Sequence, residues 1–105
     1  MSDPMLTNIE STLKEFPLCR EIIFFLIENE NAMDTARGIA VCWVQSDEVA
    51  VHSALDQLIM CGAVSAYTLS SGTVYGLTRN QAVRTWLRTM AGAAATEGSW
   101  LPTEH

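Results

Sequence analysis

The side chains able to do chemistry are few and scattered. Cys19, Cys42 and Cys61 lie far apart with no C-x-x-C pair, a spacing that suits neither a disulfide framework nor a zinc site. Each reads as a small core hydrophobe, and nothing beside them is suited to lowering a thiol pKa. His52 has no histidine or cysteine nearby with which to share a metal, so it reads as a polar surface residue. Trp43 and Trp86 fall on apolar stripes and read as core. No Ser/His/Asp arrangement, glycine-rich phosphate loop or recognisable pair of acids occurs. The expectation is a binding protein, not an enzyme, with no metal and no cofactor.

Charge narrows what it can bind. Twelve acidic residues face six basic ones, for a net charge of −6, which argues against affinity resting on a uniform attraction to phosphate. A local basic patch can still operate. The cations are Lys14, Arg20, Arg37, Arg79, Arg84 and Arg88, and none lies between Gly38 and Thr78. Arg84 and Arg88 share a ridge at i, i+4 and read first as a solvated helix face.

A chain of 105 residues, 49% of them hydrophobic, supports one core rather than two. No apolar stretch reaches the roughly 18 residues that span a bilayer, so no membrane partner is expected. The first ten residues carry Asp3 and Glu10 and no cation, which does not fit a secretory signal. A cytoplasmic location follows as an expectation.

The elements that position these residues are read from period and punctuation. Asp3 and Pro4 cap and open a first helix over 3–16, with Leu6, Ile9, Leu13 and Phe16 in one stripe. Pro17 opens a second helix that is apolar almost all round from Leu18 to Ile27, the most buried element, ended by the polar run 28–31. Asp34 is the expected N-cap of a third helix to about Trp43, burying Ala36, Ile39, Ala40 and Trp43, with Gly38 packed closely against a neighbouring helix. Ser46 is the expected cap of a fourth helix, with Asp47 and Glu48 in its first turn and Val51, Ala54, Leu55 and Leu58 as its buried stripe. Gly62 stops it. The period then changes to two, and 64–69 and 73–77 flank a turn at Ser70, Ser71 and Gly72 in a β-hairpin. Thr78 and Gln81 form an expected capping box for a final helix over 79–91, with Val83, Trp86, Leu87 and Met90 on one face and Gly92 as its end. Residues 93–105 read as a flexible tail. The fold class is mainly α with a small β-hairpin (α+β).

The matching residues Thr35-Ala36-x-x-Ile39-Ala40, then Val51-x-x-Ala54-Leu55-x-x-Leu58-x-x-x-Gly62-x-Val64, then Val74-Tyr75-x-Leu77-Thr78 give the chain its resemblance to a family. From Ile22 to Thr78 it resembles the arsenic-repressor and multiple-antibiotic-resistance type of winged helix-turn-helix regulators. The resemblance implies a single domain over 1–92 with a winged-helix core at 17–78, flanking helices on either side, and double-stranded DNA as the partner of a homodimer. It implies that the fourth helix enters the major groove and that its outer positions supply base and phosphate contacts. Those positions are Val49, His52, Ser53, Asp56 and Gln57, with Ser46 before them, Met60 beyond them, Arg37 on the preceding helix and Ser70, Ser71 and Gly72 at the wing tip. His52, Ser53 and Gln57 can hydrogen-bond bases, glutamine pairing with adenine. The family's usual arginine at the wing tip is absent.

Two questions stay open in the sequence. Leu6, Ile9, Leu13, Trp86, Leu87 and Met90 can line a dimer surface or cover the domain's own core. The fold can serve a DNA-binding transcriptional regulator, or a protein-protein interaction module with little or no DNA binding, which an acidic outer helix face and an uncharged wing suit.

Overall fold

The computed structural model describes the backbone of residues 4–97 and the side chains as far as Gly92. It is mainly helical with one small antiparallel sheet. Helices α1 (Pro4–Glu15) and α2 (Pro17–Glu28) lead to a two-residue strand β1 (Met33–Asp34). A short helix α3 (Ala36–Gly38) then widens into a π-helical turn (Ile39–Trp43). Helix α4 (Glu48–Met60), strands β2 (Val64–Leu69) and β3 (Gly72–Leu77), and helix α5 (Gln81–Glu97) complete the order. Asp3, the expected first cap, and residues 98–105 lie outside the described residues.

Helix α2 is central because it is apolar on nearly every side. It packs against α1, α4, α5, β3 and the π-helical turn, and Cys19, Ile22, Ile23 and Leu26 are sealed from solvent. Pro17 stands in its first turn, where a missing N–H costs nothing. Its partly exposed side is closed by Phe25, whose ring stacks on Trp43 with centroids 4.4 Å apart. Around it lie Val51, Leu55 and Leu58 of α4, Ile39 and Ala40, and Val64 and Leu77 of the sheet. Each large aliphatic side chain so buried contributes about 1.5–3 kcal/mol of transfer free energy.

The sheet order is β1-β3-β2, all antiparallel. Pairing of Met33 with Gly76 and of Asp34 with Tyr75 ties the segment before α3 to the hairpin. Gly76 permits the approach, since a Cβ there would meet Met33 Cγ at 2.8 Å and the Ala32 carbonyl at 3.3 Å. The hairpin turn is Ser70 and Ser71 alone. Gly72 already pairs with Leu69 and is the first residue of β3, not part of the turn as expected.

Other local expectations shift for the same kind of reason. Asp34 does not cap α3, because strand pairing takes it into the sheet. Thr35 caps instead, its Oγ1 accepting from Gly38 N at 3.1 Å, while the Asp34 carboxylate accepts from Thr35 N at 2.7 Å. Gly38 faces that Asp34 carboxylate, not a neighbouring helix. Ser46 does not cap α4; Asp47 does, accepting from Ala50 N at 3.1 Å, while Ser46 N donates back to the Ala40 carbonyl at the end of the π-helical turn. Thr78 does not cap α5. Asn80 Oδ1 accepts from Ala82 N and Val83 N, and Thr78 Oγ1 accepts from Asn80 N. Gly92 does not end α5, which runs on to Glu97, so the expected tail begins inside a helix.

At the end of α4 the chain turns as the sequence indicates. Gly62 has φ +89, Ala63 N donates to the Leu58 carbonyl and Gly62 N to the Ile59 carbonyl, a Schellman closure that requires a left-handed residue at Gly62.

Candidate functional site

Helix α4 is held by one face. Val51, Ala54, Leu55 and Leu58, at i, i+3, i+4 and i+7, are buried, and the opposite face is open. Val49 is 75% and Met60 81% exposed, with His52, Ser53 and Asp56 exposed between them and Gln57 half-buried. Ser46 is exposed in the loop before α4, and Ser70, Ser71 and Gly72 are exposed at the hairpin tip.

The structure divides these residues between two flanks. On the side of the hairpin, a hollow of about 300 Å³ brings Arg37 and His52 together with Thr35, Glu48, Thr73 and Tyr75. His52 Nε2 lies 3.9 Å from Glu48 Oε2, one helical turn away. On the other side, Ser53 and Gln57 join Ala50 and Ala54 opposite Phe16, Pro17 and Leu18 in a largely apolar groove of about 220 Å³. Phe16 was expected in the stripe of the first helix but stands between α1 and α2, 38% exposed. The hairpin tip joins neither flank. Glu48, Thr73 and Tyr75 are not among the site residues expected from the sequence; the i, i+4 spacing of Glu48 and His52 is the one available signal for the first.

Electrostatics separates this surface from the rest of the molecule. No lysine or arginine lies on α4, β2 or β3, while Glu48 and Asp56 do. Five of the six cations are engaged elsewhere. Lys14 Nζ sits 3.2 Å from Glu10. Arg20 donates to the Leu13 and Lys14 carbonyls, closing α1. Arg79 donates to Tyr67 Oη. Arg84 and Arg88 both pair with Glu30, which corrects the reading of that ridge as merely solvated. Arg37 is exposed and, among the described residues, is the one cation left without an ionic or hydrogen-bonding partner.

The cysteines have different settings. Cys19 is sealed, donates its S–H to the Ala54 carbonyl at 3.4 Å, and burial pushes its pKa up to about 12. Burial also raises the half-buried Cys61 thiol. Cys42 is exposed on the π-helical turn and is not a core residue as expected.

The expected dimer surface is corrected in part. Ile9 and Leu13 are 0% exposed and Leu87 1%, so these three form the domain's own core. Leu6, Trp86 and Met90 remain half-buried at its edge.

No helix among the described residues is long and apolar enough to cross a membrane. Among the same residues no group of three His, Cys, Asp or Glu side chains is placed to hold a metal ion. Compared with known families and with curated proteins, the sequence finds no counterpart: no family model matches it, and no curated protein matches it significantly.

Proposed function

We propose that the chain is a winged helix-turn-helix module that docks a protein partner through the outward face of α4. What supports the fold reading is the order α3, tight connection, α4, hairpin, with β1 adding the third strand beside β3. One observation carries the functional reading: α4 presents Val49 and Met60 largely to solvent beside Glu48 and Asp56, on a helix that carries no lysine or arginine. The helix face itself disfavours a polyanion, although Arg37 stands at its flank, and it suits a partner that brings apolar side chains ringed by lysine or arginine. The groove against Phe16 has room for one apolar side chain of that partner. The chain is then an interaction module and not a catalyst.

A second reading rests on Arg37. It stands free beside His52 and Thr73 in the hollow between α4 and the hairpin, where a phosphate of duplex DNA can be met by a homodimeric regulator. Leu6, Trp86 and Met90 are then the apolar remainder of the dimer contact.

The two readings part in one pair of measurements. A photocrosslinker placed at Met60 is expected to capture a basic protein in the source cell, and capture is lost when Val49→Ser is introduced. Fluorescence anisotropy with random duplex DNA is expected to show no binding at about 100 μM protein and about 50 mM salt, the weak end of non-specific affinity. DNA binding that falls steeply with salt and vanishes in Arg37→Ala would overturn the protein-docking reading in favour of the second.

A further inference from the structure

Half of the molecule's cations gather at one place, away from α4. Arg79, Arg84 and Arg88 stand where the base of the hairpin meets the start of α5. A cleft of about 380 Å³ opens there, its wall including Glu30, Asn31, Met33, Tyr67, Arg79 and Arg84. It shares no lining residue with the outward face of α4. Its size falls within the range of small-molecule pockets.

The internal pairing of the cleft leaves a surplus of positive charge. Arg84 donates from Nε to the Thr78 carbonyl at 2.6 Å and from Nη1 to Glu30 Oε1 at 3.4 Å. Arg88 donates from Nε to Glu30 Oε2 at 2.5 Å. One carboxylate therefore faces two guanidinium groups. Arg79 is additional: its Nε donates to Tyr67 Oη at 2.9 Å and its guanidinium carbon lies 5.3 Å from the Tyr67 ring centroid. That contact holds the fork in one orientation, and among the described residues neither Nη group donates to a protein acceptor. Both acidic groups in the wall feel the surplus. The hydrogen bond from Arg88 holds Glu30 below its ordinary range, and the one from Arg79 holds the Tyr67 phenol below its own.

We propose that this cleft binds a small oxyanion-bearing ligand, a carboxylate or a phosphate, gripped by the free Nη groups of Arg79 with the side-chain amide of Gln81 beside them. A guanidinium fork oriented by an aromatic ring offers two parallel donors, the geometry that carboxylates and phosphates share. Glu30 already shows a carboxylate seated on two of these arginines. Gly76 keeps the wall thin, its missing Cβ leaving Met33 in place. The site stands independently of the reading of α4.

The test is a titration of the isotope-labelled full chain with inorganic phosphate and, separately, with succinate, followed by the amide signals of Arg79, Gln81 and Tyr67. Saturable shifts with phosphate alone assign a phosphate ester, with succinate alone a carboxylic acid, and with both an unselective oxyanion site; each supports the proposal. Arg79→Met, which removes both charge-assisted donors, is expected to weaken binding at least about tenfold. Tyr67→Phe, which removes the hydroxyl that accepts from Arg79 Nε and keeps the ring, is expected to weaken it several-fold and serves if Arg79→Met fails to fold. Glu30→Gln is expected to tighten it, and Lys14→Met to leave it unchanged. No saturable shift with either anion, or shifts that survive in both the Arg79→Met and Tyr67→Phe variants, would overturn the proposal.

Discussion

If α4 is tethered by one face and free on the other, substitutions five or six residues apart on the same helix must differ in cost by about 2 kcal/mol or more. Leu55 is 0% exposed in a cluster with Val51, Leu58, Ile22 and Ile39. Leu55→Ala removes three methyl-equivalent carbons from that cluster and leaves a cavity that the surrounding helices cannot fully close, for a cost of about 3 kcal/mol within a usual range of about 2–5. The whole domain has about 5–15 kcal/mol to lose, so the expected fall in Tm is about 12–24 °C. Met60 keeps 81% of its surface in water, and Met60→Ala is expected to change stability by no more than about 0.5 kcal/mol. Val49→Ala behaves likewise, with a small gain from the better helix former. The assay is urea unfolding followed by circular dichroism at the helical band, with the midpoint and slope both fitted. A cost above about 1 kcal/mol for Met60→Ala, or below about 1 kcal/mol for Leu55→Ala, would falsify the tethering on which the docking surface depends.

The caps give a sharper local comparison. Asp47→Ala is expected to cost about 1 kcal/mol and Ser46→Ala almost nothing, because Asp47 accepts from Ala50 N and the Ser46 hydroxyl caps no helix; equal losses in thermal unfolding would show the cap assignment to be wrong. Gly62→Ala should destabilise by about 1–2 kcal/mol through its left-handed backbone, and a neutral result would mean that the turn after α4 is not closed as described. Stability should respond to acid through Glu30, whose native pKa lies below its ordinary 4.5 because Arg88 hydrogen-bonds the anion. That contribution is complete above the unfolded value and is lost as pH falls through the lowered native one, so Glu30→Gln should flatten the stability profile below about pH 4.5. With a disulfide thiol reagent at mildly alkaline pH, Cys42 should react in the folded protein and Cys19 only on unfolding, since Cys19 is sealed with a pKa near 12; rapid labelling of Cys19 in the native state would contradict its burial.

The flanking helices show how far a pattern can be read. Leu6, Ile9 and Leu13 announce an apolar stripe, and the stripe says that something covers it. Whether a second copy or the domain's own core does so depends on where α1 lands, and α1 lands on α2 and α4, which seals Ile9 and Leu13. The cap residues show the same limit at shorter range. Asp34 and Thr35, Ser46 and Asp47, and Thr78 and Asn80 are all competent caps, and propensity does not choose among neighbours. Strand pairing chooses Thr35 by drawing Asp34 into the sheet.

The amino-acid order by itself determined the elements of this protein: four residues at helical spacing bury α4, proline opens α2, glycine closes α4, and a change of period from about four to two makes the hairpin. These are local effects, written within a turn or two of chain. Only the tertiary structure decided the two-residue strand β1, too short to leave a pattern, and the π-helical turn that sets Trp43 on Phe25. It also decided the fate of the charges. Glu30 meets Arg84 across 54 residues of sequence, and such a pairing becomes visible only when packing brings α2 and α5 together, because Coulombic partners are chosen by distance in space and not along the chain.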